Sequence, residues 1–132
     1  MNRLSKNERL RSRKTIEHLL THGKSFFVFP FRVVSGFGFR VSGFNFQLLI
    51  AVPKRRIKKA IVRNLIKRRT REAWRLHKNE FRVSSFELPS PFTFPVILQY
   101  VADEPLTYAV IEEAVKTIIR RLEEQDIKKL GD

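Results

Sequence analysis

Between Glu17 and Glu72 the chain contains no acidic residue. Away from its two ends, no lysine or arginine in that interval has a local carboxylate to neutralise it. Any fold must therefore bury the interval's Phe, Val and Ile while keeping its cations at the surface. The asymmetry extends over the whole chain. Residues 1–78 carry 21 lysines and arginines against Glu8, Glu17 and Glu72, a net +18, whereas residues 79–132 carry six against ten acids, a net −4. A field of one sign opposes compaction and calls for a polyanionic partner, nucleic acid before an anionic membrane. A merely solvated charged face normally mixes its signs.

The 132 residues, 42% hydrophobic with 12 Phe, suffice for one core. They predict a single nucleic-acid-binding domain over 1–132, with residues 1–9 as a flexible basic N-terminus and 81–92 as a surface connection. The absence of cysteine excludes a disulfide framework, a thiol nucleophile and a cysteine metal site, which fits a reducing compartment. No uncharged apolar run reaches about 18 residues, and "MNRLSKNERLRSRKTIEHLL" has neither the apolar core nor the cleavage site of a secretory signal. The expectation is a cytoplasmic protein with no membrane partner.

Ser12 is placed to cap a short helix through Leu20, with Ile16, Leu19 and Leu20 on one side and Gly23 as its stop. "FFVFPFRVVS" (26–35) and "FNFQLLIAV" (44–52) flank the turn-like "GFGFRVSG" and predict antiparallel neighbouring strands, with Pro30 at an edge or bulge. A helical pattern follows from Ile57 to Glu80, then a connection, then the strand "TFPVILQYV". Thr107 is the expected N-cap of a last helix whose Val110, Ile111, Ala114, Val115, Ile118, Ile119 and Leu122 keep helical spacing. The predicted class is α+β, a two-layer sandwich in αβββαβα order with helices on a small mixed sheet.

At about 100° per residue, Ile61, Val62, Leu65, Ile66, Ala73 and Leu76 of the central helix fall in one arc of about 140°, the face expected to dock on the sheet. Arg63, Asn64, Lys67, Arg68, Arg71, Arg75 and Lys78 fall opposite. Ala60 and Trp74 lie among these cations, the first allowing close approach and the second offering a ring for stacking. Arg69 and Glu72 point toward the apolar arc and are spaced to pair. Like charges at i, i+4 along Arg63, Lys67, Arg71 and Arg75 cost an isolated helix about 0.2–0.5 kcal/mol per pair, so a neutralising anion is expected. Phosphate suits both Arg and Lys. Asn64 reads equally as a polar RNA contact or a solvated helix residue. Lys54, Arg55, Arg56, Lys58 and Lys59 of "PKRRIKK" concentrate charge where a helix N-terminus already attracts anions.

Protein-based catalysis needs a constellation that the basic half lacks. Its acids are far apart, there is no phosphate-binding glycine loop or nucleophile elbow, and "GFGF" is too short for a dinucleotide fingerprint. His18 and His22 are i, i+4, but two ligands do not make a metal site; they read as solvated or RNA-contacting. The chain has the character of a binder.

"VPKRRIKKAIVRNLIKRRTREAWR", Val52 to Arg75, resembles the signature of the bacterial ribonuclease P protein subunit. Lys54, Arg55, Ala60, Arg63, Asn64, Lys67, Arg68, Arg71, Glu72, Ala73 and Trp74 all match its spaced pattern. The resemblance implies a left-handed βαβ crossover, against the usual rule. It also implies a protein, monomeric without RNA, that binds a catalytic ribonuclease P RNA and the 5′ leader of precursor tRNA. The RNA partner would hold Mg²⁺ and cleave, while no metal or catalytic residue is assigned to the protein. RNA binding falls on Lys54, Arg55, Lys58, Lys59, Arg63, Asn64, Lys67, Arg68, Arg71 and Arg75; Ile16, Leu20, Phe31 and Val34 are expected to line a leader cleft or to be plain core. The family often has aromatics at the positions of Ile16, Leu20 and Val34, which moves stacking toward Phe26, Phe27 or Phe29. Leu65 stands where a second arginine is common, and Arg69 where an aliphatic is. The alternatives are a general RNA-binding or ribosomal protein and a self-sufficient nuclease.

Overall fold

The structure, a computed structural model, describes residues 13–35, 46–77 and 94–130. Its elements are α1 (Arg13–His22), β1 (Lys24–Val28), β2 (Phe31–Ser35), β3 (Phe46–Ala51), α2 (Ala60–His77), β4 (Phe94–Tyr100) and α3 (Tyr108–Leu130), the expected αβββαβα order. Ser12, Lys78, the "GFGFRVSG" turn and the segments 1–9 and 81–92 lie outside the described residues. Gly23 stops α1 as anticipated. Its N–H donates to the Leu19 carbonyl at 2.7 Å, and a Cβ there would run into that same oxygen.

The segment 26–35 is a hairpin and not one strand. β1 pairs antiparallel with β2 from Lys24↔Ser35 to Val28↔Phe31, and the Phe29–Pro30 peptide, which is cis, turns the chain between them. Proline has no N–H for a ladder and a fixed φ, so it suits the corner better than the strand. Nor are the strands at 26–35 and 44–52 neighbours. The sheet order is β1-β2-β4-β3; β4 runs antiparallel to β2 and parallel to β3, with Val33↔Leu98 and Ile50↔Leu98 in register. β4 earns the central place through apolar residues on both faces, Val96, Leu98 and Tyr100 on one and Ile97 on the other, all buried.

The main core lies between the sheet and the helices α2 and α3. Phe31, Val33, Leu48, Val96, Leu98 and Tyr100 meet Ile66, Ala73 and Trp74 of α2 and the buried stripe from Ile111 to Leu122 of α3. Thr107 Oγ1 accepts from the Val110 N–H at 3.4 Å at the start of α3. Val110 itself is exposed, on the flank of its helix. α1 covers part of the sheet's opposite face, where Leu19 joins Val34 and Ile97, with Ile16 and Leu49 alongside.

α2 is rotated from its expected setting. Ile61 is 83% exposed and Leu76 49%, while Thr70 and Trp74 are fully buried with Ile66 and Ala73. The pattern of cations misled because two arginines near the core send their charged heads to backbone carbonyls. Arg63 bonds the Ile57 and Lys58 oxygens, and Arg69 bonds the Leu106 oxygen. A long stem can lie along apolar surface while its head finds a polar partner.

Candidate nucleic-acid interface

Pro53 ends the ladder of β3, and the chain makes a tight turn before α2 starts at Ala60. The amides of Arg56 and Ile57 both donate to the Pro53 carbonyl at 3.1 Å. Ile57, 5% exposed, plugs the turn into the main core. Arg56 reaches Asp103 at 2.9 Å, tying the turn to the segment after β4. Arg63 Nη1 donates to the carbonyls of Ile57 at 2.9 Å and Lys58 at 2.8 Å. The helix-initiating bond, Arg63 N–H to Lys59 O, is 3.0 Å.

This anchoring leaves Lys54, Arg55, Lys58 and Lys59 pointing outward and exposed. Along α2, Asn64 and Arg68 are exposed and Lys67 partly so. Helical geometry places Lys67, Arg71, Asn64, Arg75 and Arg68 within an arc of about 100° that runs from beside buried Trp74 to the exposed side of the helix. Among the described residues no ion pair neutralises Lys54, Arg55, Lys58, Lys59, Lys67 or Arg68. Arg75 differs, because its Nη2 is bonded to Glu72 Oε1 at 2.5 Å. The Arg69–Glu72 pairing expected from spacing is replaced by that bond and by the Arg69 bond to Leu106 O.

The signature stretch thus divides in two. Arg68, Lys67 and Asn64 face outward. Ala73 and Trp74, with 0% and 1% exposure, are packing residues, so Trp74 offers no ring to a partner. Arg63 lies between the two groups, half-buried, with one nitrogen spent on the turn.

The four expected cleft residues do not share a surface. Phe31 and Val34 are three apart on β2, so they point to opposite faces. Phe31 is in the main core, edge-on to Tyr100 at 5.7 Å between centroids, and cannot line a surface with Val34. Val34 is 2% exposed beneath Leu19, Ile16 is half-buried beside it, and Leu20 is 57% exposed. Sequence reasoning missed Arg32 and Gln99 on the α1 side of the sheet. Cross-strand register sets Phe27, Arg32 and Gln99 in one row, with Arg32 Nη1 to Gln99 Oε1 at 3.4 Å. Phe27 is 64% exposed there, and Phe29 in the turn is 66% exposed. The available signal was alternation: Arg32 is two residues from Val34 and so shares its face. Phe26, on the other face, carries the Arg121 guanidinium 5.3 Å above its ring.

His18 and His22 stack at 4.6 Å on α1. Among the described residues no group of three or more His, Asp or Glu converges on a metal position. No helix described is long and apolar enough to cross a membrane.

A family model described as Ribonuclease P matches residues 4–123. A ribonuclease P protein component from Porphyromonas gingivalis is 35% identical over 120 residues, covering 89% of this chain and 85% of that protein. One from Syntrophus aciditrophicus is 35% identical over 81 residues, 61% of this chain and 65% of that one. The RNase P protein from Thermotoga maritima has the same fold, with TM-score 0.62 at 26% identity over 86% of this chain and 96% of that one. That from Staphylococcus aureus superposes with TM-score 0.61 at 21% identity over 87% and 94%.

Proposed function

Because the chain belongs to the bacterial ribonuclease P protein family, we propose that its basic turn and the outer face of α2 dock on the ribonuclease P RNA, while the α1 side of the sheet receives the 5′ leader of precursor tRNA. The observation that carries this reading is the set of cations Lys54, Arg55, Lys58, Lys59, Lys67 and Arg68, presented by the turn and by α2 with no carboxylate partner among the described residues. Phosphates spaced along an RNA strand neutralise such a row, and the released counterions favour the complex. Asn64 lies at the centre of the row and offers a donor and an acceptor to a ribose or base edge.

For the leader, Phe27 presents an exposed ring in the same cross-strand row as Arg32 and Gln99. Stacking on such a ring supplies about 1–3 kcal/mol per base without demanding a sequence. Leu20 on α1 adds apolar surface. The protein's role in this reading is to hold RNA and leader, and the RNA partner carries the endonucleolytic step. The cationic donor set of the turn and α2 does not fit a divalent cation, so Mg²⁺ is assigned to the RNA. The protein acts as a cytoplasmic monomer before assembly.

The test is reconstitution. Protein alone is expected to leave precursor tRNA intact, and protein with its own ribonuclease P RNA is expected to restore cleavage at low Mg²⁺ beyond RNA alone. Failure to stimulate the cognate RNA, or equal affinity for ribosomal RNA in competition, would overturn the proposal.

A further inference from the structure

We propose that Arg63 is a positioning residue that clamps the basic turn, so that several phosphate contacts of the turn depend on it. The proposal deepens the RNA-docking reading above and rests on it. A signature arginine among cations invites the assumption that it serves as one more phosphate ligand. Its geometry gives it a second task. Both hydrogens of Arg63 Nη1 are committed, one to the Ile57 carbonyl at 2.9 Å and one to the Lys58 carbonyl at 2.8 Å.

These two carbonyls belong to the residues that lead into α2, ahead of its first helical bond from Arg63 N–H to Lys59 O. Their own chain gives them no donor in the turn; the Arg56 and Ile57 amides are directed to Pro53 O instead. The guanidinium fork supplies what the backbone cannot, and it does so from the first turn of the helix that follows. Lys54, Arg55, Lys58 and Lys59 ride on this segment, with Ile57 buried beneath it. Residues 54–59 carry five like charges on six residues, and the four besides Arg56, which Asp103 pairs, repel one another. A clamp that fixes the backbone holds them at a set spacing before RNA arrives, which lowers the ordering cost of binding. Nη2 and Nε of Arg63 keep their donors for a phosphate, so the residue also sits within the interface it organises.

The experiment compares Arg63→Ala with Lys67→Ala, whose side chain has no partner among the described residues. In the RNA-free protein, hydrogen exchange at the Arg56 and Ile57 amides is expected to rise about ten- to a hundredfold in Arg63→Ala, the range of a lost hydrogen bond to a charged group. Exchange in β4 should stay at wild-type level, which separates local opening from unfolding. In Lys67→Ala the turn amides should not change. With the ribonuclease P RNA, Lys67→Ala should flatten the salt dependence by about 0.7–0.9 log units, one contact, and Arg63→Ala by more than about twice that. Arg63→Lys keeps the charge but not the fork, and is expected to show the faster turn exchange all the same. Wild-type exchange of the turn in both Arg63 variants, or a slope change for Arg63→Ala no larger than for Lys67→Ala, overturns the proposal. If the wild-type protein binds no ribonuclease P RNA, the docking reading fails, and the exchange arm still decides the clamp.

Discussion

Arg69 Nη1 donates to the Leu106 carbonyl at 2.6 Å, joining the middle of the signature helix to the segment that leads into α3. The same segment is held from below, where the Leu106 N–H donates to Tyr100 Oη at 3.2 Å and that hydroxyl donates to the Glu104 carbonyl at 2.7 Å. Leu106 is thus gripped through both of its backbone polar groups.

Arg69→Ala removes a charged donor from a part-buried carbonyl and should lower unfolding stability by about 1–3 kcal/mol. Chemical denaturation measures the loss. RNA affinity of the folded protein is expected to stay at wild-type level, because the head of Arg69 turns toward Leu106 and away from the outer row.

Tyr100→Phe tests the other grip by pH. Burial pushes the Tyr100 hydroxyl above its ordinary value of 10.0, with the nearby Glu104 charge adding to the shift against the Leu106 amide. A raised folded-state value means that its contribution is fully present below the unfolded value of 10.0 and lost as pH rises through the folded one. Wild-type stability should therefore fall as pH rises above 10.0. Tyr100→Phe should start lower by about 1–3 kcal/mol at neutral pH and decline less above pH 10.0.

Trp74→Ala opens a cavity between α2, α3 and the sheet and should cost about 3–5 kcal/mol. Trp74→Phe should cost less and leave RNA binding per folded molecule unchanged. Weaker binding by a well-folded Trp74→Phe protein would mean that the ring meets RNA after all.

Lys67→Ala combined with Arg68→Ala should leave stability within about 0.5 kcal/mol and flatten the salt dependence of RNA binding by about 0.7–0.9 log units per contact. A thermal melt and a salt titration check the two halves.

Phe27→Ala and Phe31→Ala separate the two faces of the sheet. Phe27→Ala should barely change stability and should weaken binding of precursor tRNA with a leader by about 1–3 kcal/mol, while mature tRNA is unaffected. Phe31→Ala should destabilise by about 3–5 kcal/mol whatever the substrate.

The places of the three helices, the Gly23 stop, the Thr107 cap and the buried stripe of α3 could all be read from spacing, because each depends on residues close in sequence. The family resemblance was likewise legible, carried by eleven matching positions between Lys54 and Trp74. What escaped depends on distant partners. The carbonyls that draw in Arg63 and Arg69 are invisible to a helical wheel, which counted both as surface or misfit charges and so turned α2 toward Ile61 and Leu76. The pairing of β4 between β2 and β3 could not be inferred from strand order. For Phe31 the plain-core alternative is the one the structure favours, and period-two alternation already separates it from Val34.

The position of β4 has a consequence for synthesis. Of the described strands it is the last to be made, yet it alone among them touches both the hairpin and β3. Until residues 94–100 leave the ribosome, β1–β2 and β3 have no common neighbour, and α2 has neither a complete sheet nor α3 to cover. A nascent chain that stops short of Phe94 holds β1, β2 and β3 but not the strand that joins them, so the sheet closes in a late step.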